Sequence, residues 1–126
     1  MIPSRENPAT DAQPMAEIAL SPDGRYAVLV IEMFDHGAES ETILRGFPTA
    51  ELACEYARRR TRDSLEELRD ASQSVGDLRR RWLSFGEDCC VIGEHYCAAS
   101  EVDFFVTHPA TAEERDWRSI EALVAR

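Results

Sequence analysis

A chain of 126 residues, 44% hydrophobic and 30% charged, has the size and composition of one domain that can bury a core without metal or disulfide support. Its net charge of −10 repels polyanions and argues against non-specific nucleic-acid binding. No run approaches the ~20 apolar residues of a membrane span, and the opening Met1-Ile-Pro-Ser-Arg-Glu-Asn-Pro8 lacks the apolar stretch of a secretory signal. A cytoplasmic protein is expected, with Cys54, Cys89, Cys90 and Cys97 as thiols.

Residues 1–14 carry Pro3, Pro8 and Pro14 without periodicity and read as a flexible N-terminal tail, leaving 15–126 as a single domain. Ala16–Leu20 and the turn Ser21-Pro22-Asp23-Gly24 suggest a hairpin into Tyr26–Phe34. The latter is the longest apolar run, β-branched and apolar on both faces as far as Glu32, so it reads as an interior strand. Asp35–Glu41 reads as a polar loop, and Thr42–Gly46 as a strand returning antiparallel.

Thr49 is a candidate N-cap, with Glu51 in the first turn behind it. Ala50, Ala53, Cys54, Ala57, Thr61, Ser64, Leu65 and Leu68 then recur at helical steps, predicting one helix over about 49–71. Ser74 with Asp77 marks a second N-cap, Val75, Leu78, Trp82 and Phe85 one helix face, and Gly86 the stop. Cys89–Ile92 reads as a short buried strand ended by Gly93, and Val102–Val106 as another. Thr111-Ala-Glu-Glu114 spells a capping box and predicts a helix to about Val124, with Trp117, Ile120 and Leu123/Val124 on one face. The order implies an α+β, two-layer fold: a mostly antiparallel sheet of three to five strands, with about three helices packed mainly on one face.

The phrases Gly46-Phe-Pro-Thr-Ala-Glu-Leu-Ala53 and Trp82-Leu-Ser-Phe-Gly-Glu-Asp88 resemble a set of small uncharacterised bacterial proteins with a Phe-Gly-Glu-Asp turn. The resemblance spans roughly residues 25–93. It implies that the Phe85–Asp88 junction is a structural fixture, and it carries no activity, cofactor or catalytic residue.

Charge layout supplies the first candidate site. Every one of the 14 basic residues is arginine, and eight lie between Arg58 and Arg81 against five acids, a local excess of +3 on an acidic chain. An Arg-rich helical face built from Arg58, Arg59, Arg62, Arg79 and Arg80 could dock a carboxylate- or phosphate-bearing protein partner, or a second copy of the chain. The competing reading is a solvated face braced by pairs such as Arg59–Asp63 and Arg62–Glu66. The run Arg79-Arg80-Arg81 is expected to be the less self-satisfied part. This makes a non-enzymatic interaction or regulatory module the leading expectation, without a cofactor.

The alternative is a small enzyme or metal-binding protein. Asp35 and His36, near Glu39 and Glu41, could make an acid–base corner. Cys89, His95 and Cys97 are the candidate metal ligands, with Cys90 on the opposite face of the strand from Cys89. The bland reading makes Cys89 and Cys90 small buried hydrophobes and Glu87-Asp88 a polar turn. Nucleic-acid binding ranks lower, because Trp82 falls on the apolar stripe and offers no stacking platform.

Overall fold

Strand β1 (Tyr26–Glu32) lies inside an antiparallel sheet with β2 (Glu41–Phe47), β3 (Glu87–Ile92) and the two-residue β4 (Tyr96–Cys97), in the order β2-β1-β3-β4. Helices α1 (Ala50–Arg69), α2 (Val75–Phe85), α3 (Val102–Thr107) and α4 (Arg118–Val124) pack against it, giving the expected α+β class. The structure, a computed structural model, describes residues 26–34 and 40–124. The expected tail, the 16–20 strand with its turn, and the Asp35-His36 corner lie outside the described residues.

Apolar residues on both faces of β1 fit an interior position. Leu29 pairs with Ile43 of β2 on one side and Cys90 of β3 on the other, and Ala27, Val28, Leu29 and Val30 are all buried. Both edges of β1 are therefore occupied. Val28, Val30, Cys89 and Val91 form the floor on which α1 rests through Ala53, Tyr56 and Ala57, and α4 closes it with Ile120. The small side chains at 53 and 57 allow that close approach. A second cluster joins Leu65 of α1 to Leu78 and Trp82 of α2 and to Ala98, Val102, Phe105 and Val106.

The capping residues act as their types require. Thr49 Oγ1 accepts from the Leu52 N–H at 3.1 Å, and Ser74 Oγ from the Asp77 N–H at 3.0 Å, while Asp77 returns an acceptor to the Gln73 N–H at 3.0 Å. Gly86 stops α2 for a reason of space. Its φ is an ordinary −87°, but a Cβ there would fall 2.1 Å from Trp82 Cδ1. The Phe85–Asp88 junction is thus fixed by the indole ring beneath it.

Four expectations are corrected. Residues 102–106 form a helix, not a strand: Val102, Phe105 and Val106 share one buried helical face, and a short apolar run cannot be assigned by periodicity alone. The capping box at Thr111 forms both of its bonds, 2.9 and 3.2 Å, but starts only a single turn at Glu113–Arg115. The helix restarts at Arg118, where Asp116 accepts from the Ser119 N–H at 3.1 Å, and the break frees Arg115 and Trp117 to reach Asp63. Cys90 and Cys97 are not thiols. They face each other across the β3–β4 hairpin with Cα atoms 4.0 Å apart and form a disulfide, leaving Cys54 and Cys89 free. Glu87 and Asp88 belong to β3 rather than to a turn.

Candidate functional site

The arginines of α1 are turned onto the protein. Arg58 pairs with Glu55 at 3.1 Å and Glu101 at 3.3 Å and covers the Tyr96 ring; Arg59 pairs with Glu55 at 2.7 Å and donates to the Asp116 carbonyl at 3.1 Å. Arg60 joins Glu87 at 3.0 Å and the Tyr56 hydroxyl at 2.7 Å, which itself donates to Glu121 at 2.6 Å. Arg62 is buried, donates to the His108 carbonyl and lies 4.7 Å from the Phe105 ring centre. Arg69 grips Glu66 at 2.6 and 2.8 Å and the carbonyls of Phe105 and Val106.

The outward arginine face therefore does not exist on α1. The anticipated Arg59–Asp63 and Arg62–Glu66 braces are absent as well. Asp63 instead accepts from Arg115 at 2.7 Å and the Trp117 indole at 2.9 Å, and Glu66 from Arg69 and the Ala110 N–H. Spacing along one helix identifies which pairs can meet on it. It is blind to the chain that returns over that helix, here residues 98–121.

On α2 the same residue type meets water. Arg79 pairs with Asp103 at 2.9 Å, and Arg80 and Arg81 share Asp77 at 2.6 and 3.0 Å. The run is less deprived of acids than anticipated, since Asp77 stands three and four residues before Arg80 and Arg81. Such exposed pairs contribute only about 0.2–1 kcal/mol, and the Arg80 side chain remains 72% exposed against 8% for Arg62. Four of the six exposed large hydrophobics among the described residues lie on or against α2. They are Val75, Leu83 and Phe85, with Phe34 stacked on Phe85 at 5.6 Å between ring centres.

Beside Phe34 and Phe85 opens a cleft of about 380 Å³ that reaches Ser64, Glu67, Trp117 and Arg118. The Trp117 ring is held between two guanidiniums, Arg60 at 4.3 Å and Arg118 at 4.2 Å. The Ser64 hydroxyl is spoken for: it donates toward the Thr61 carbonyl at 2.8 Å and accepts from the Trp82 indole and the Glu87 N–H, both at 3.1 Å. Burial, and then the bond to Glu121, raises the Tyr56 hydroxyl well above its ordinary pKa and keeps it protonated. These polar groups latch α1 to β3 and α4. Among the described lining residues, none pairs a free hydroxyl or thiol with a base.

The cysteine and histidine candidates do not converge. Cys89 is buried on the helix side of the sheet, where desolvation pushes its thiol up to about 12. His95 is exposed in the hairpin turn at φ 52°, and Cys97 is committed to Cys90. His108 stacks on Phe104 with ring centres 3.9 Å apart. The structure instead gathers Asp88, Cys90 and Cys97, whose ligand atoms lie within 4.8 Å of one another. The signal for Asp88 was available, since residues two apart on a strand share a face. What hid it was the assignment of Glu87-Asp88 to a turn.

No family model, curated protein or solved structure matches the chain, so the resemblance to small bacterial proteins gains nothing from those comparisons. Among the described residues no helix is long and apolar enough to cross a membrane.

Proposed function

We propose that the chain is a non-enzymatic interaction module that associates with a second copy of itself through the outer face of α2. The observation that supports this reading is the coincidence of two features on one helix. Arg79 and Arg80 are the most exposed members of the arginine set, and the same helix exposes the apolar side chains of Val75, Leu83 and Phe85, the last stacked on Phe34. Contiguous apolar surface marks an interaction site, whereas scattered single residues do not, and the Phe34–Phe85 stack is its contiguous part.

The charges favour a second copy as occupant. Arg79 and Asp103 are exposed neighbours of opposite sign, so a two-fold arrangement lets each Arg79 exchange its own Asp103 for that of the other copy. Like patches then meet without unpaired charge, and the apolar residues supply the attraction. Arg58, Arg59 and Arg62 act in this reading as internal struts that hold the scaffold and leave docking to α2.

Sedimentation velocity over a concentration series tests the reading. The wild-type chain is expected to dimerise, Leu83→Asp to shift it to monomer, and Arg79→Glu with Arg80→Glu to weaken the dimer at least about tenfold. A wild-type chain that stays monomeric up to high micromolar concentration overturns it. So does a dimer indifferent to all three substitutions.

A further inference from the structure

We infer that Asp88, Cys90 and Cys97 form a redox-gated zinc site, closed as a disulfide and opened to the metal by a dithiol reductant. Zinc takes thiolate and carboxylate ligands in tetrahedral geometry, with metal–sulfur distances of about 2.3 Å and metal–oxygen distances of about 2.0 Å. A tetrahedron of those dimensions sets sulfur and oxygen roughly 3.5 Å apart. Asp88 Oδ2 already lies 3.9 Å from Cys90 Sγ, and all three ligand atoms fall within 4.8 Å.

The carboxylate is held in place for this task. Its Oδ1 accepts the N–H groups of Cys89 and Ala99, each at 2.9 Å, which fixes the orientation of the group and leaves Oδ2 directed at the sulfur. Asp88 is buried, yet no arginine or histidine among the described residues pairs with it. A buried carboxylate without a counter-charge is costly, and a divalent cation shared with two thiolates supplies one. Cys90 and Cys97 sit in a short hairpin at the edge of the sheet and are only partly buried, so a reductant can reach them. Cys89 points to the other face, inside the core, and takes no part.

The chemistry balances. The dithiol gives two electrons and two protons to the pair; the S–S bond breaks, Cys90 and Cys97 become thiols, and the reductant closes its own disulfide. Zinc then displaces the two thiol protons to solvent and binds two thiolates and Asp88 Oδ2, with water in the fourth position.

The test uses the full chain, oxidised and reduced, titrated with Zn²⁺ against a chromophoric chelator, and with Co²⁺ to read thiolate-to-metal charge transfer. The reduced chain is expected to bind one Zn²⁺ and to show the cobalt–thiolate band, and the oxidised chain to do neither. Cys97→Ser should abolish binding and Asp88→Asn should weaken it at least about tenfold, while Cys54→Ala leaves it unchanged. Should Cys97→Ser fail to fold, the two redox states of the wild type and the near-isosteric Asp88→Asn decide the matter. A reduced chain that takes up no zinc overturns the inference, as does uptake that is equal in both redox states or indifferent to Asp88→Asn.

Discussion

The guanidiniums of Arg62 and Arg80 carry the same charge and the same donors, yet one is 8% exposed and the other 72%. Nothing intrinsic to either helix produces the difference. Residues 98–121 fold back over α1, and their carbonyls, carboxylates and rings give each α1 guanidinium a destination: His108 and Phe105 for Arg62, Phe105 and Val106 for Arg69, Asp116 for Arg59. The outer face of α2 receives only the exposed Asp103 from that segment among the described residues, and its arginines stay in water. A cluster of arginines is therefore a scaffold or a surface according to what the later chain brings to it, and the guanidinium's planar fork suits it to either use.

Breaking the α1 side should have the largest effect. Asp63→Ala leaves the Trp117 indole and Arg115 without their shared acceptor and should cost about 3 kcal/mol in urea unfolding. A loss below about 1 kcal/mol would put this carboxylate on the same footing as the exposed pairs of α2. Reducing the Cys90–Cys97 disulfide, which closes a short loop, should cost at most about 2.5 kcal/mol. The Cys90→Ser, Cys97→Ser double variant, melted beside the reduced wild type without metal, should show a similar loss.

A pH series sharpens the contrast further. Burial works to raise the Glu66 carboxyl, but the Arg69 guanidinium and the Ala110 N–H outweigh it and hold the group below its usual range. A lowered folded pKa contributes stability above the unfolded value, about 4.3, and loses it as pH falls through the folded value. Glu66→Gln should therefore be less stable than wild type at neutral pH, with the gap closing below about pH 4. A gap that stays constant with pH would mean that the charge of Glu66 does not matter. The smallest effect is expected on α2, where Arg79→Glu with Arg80→Glu should change monomer stability by less than about 0.5 kcal/mol, read under conditions that dissociate any dimer.

How much of this was legible in the chain depended on range. The β-branched run at 26–32, the caps at Thr49 and Ser74 and the small-residue ridge of α1 are local signals, and each predicted its element. Val102–Val106 failed because five apolar-rich residues satisfy both periods, and the deciding contact is with Trp82 and Leu78 on another helix. The capping box at Thr111 was read correctly as a start, but Asp63, far earlier in the chain, pulls Trp117 and Arg115 out of a continuous helix. An expected reducing compartment says the same of all four cysteines and so hides the disulfide. Only the β3–β4 register singles out Cys90 and Cys97.

The most direct test of the division between scaffold and surface is urea unfolding of Arg62→Ala beside Arg79→Ala with Arg80→Ala, under conditions that keep all the chains monomeric. The account predicts a loss of about 2 kcal/mol for the single change, from packing on Phe105 and the bond to His108, and less than about 0.5 kcal/mol for the double one. Equal losses, or a greater loss from the α2 pair, would contradict it.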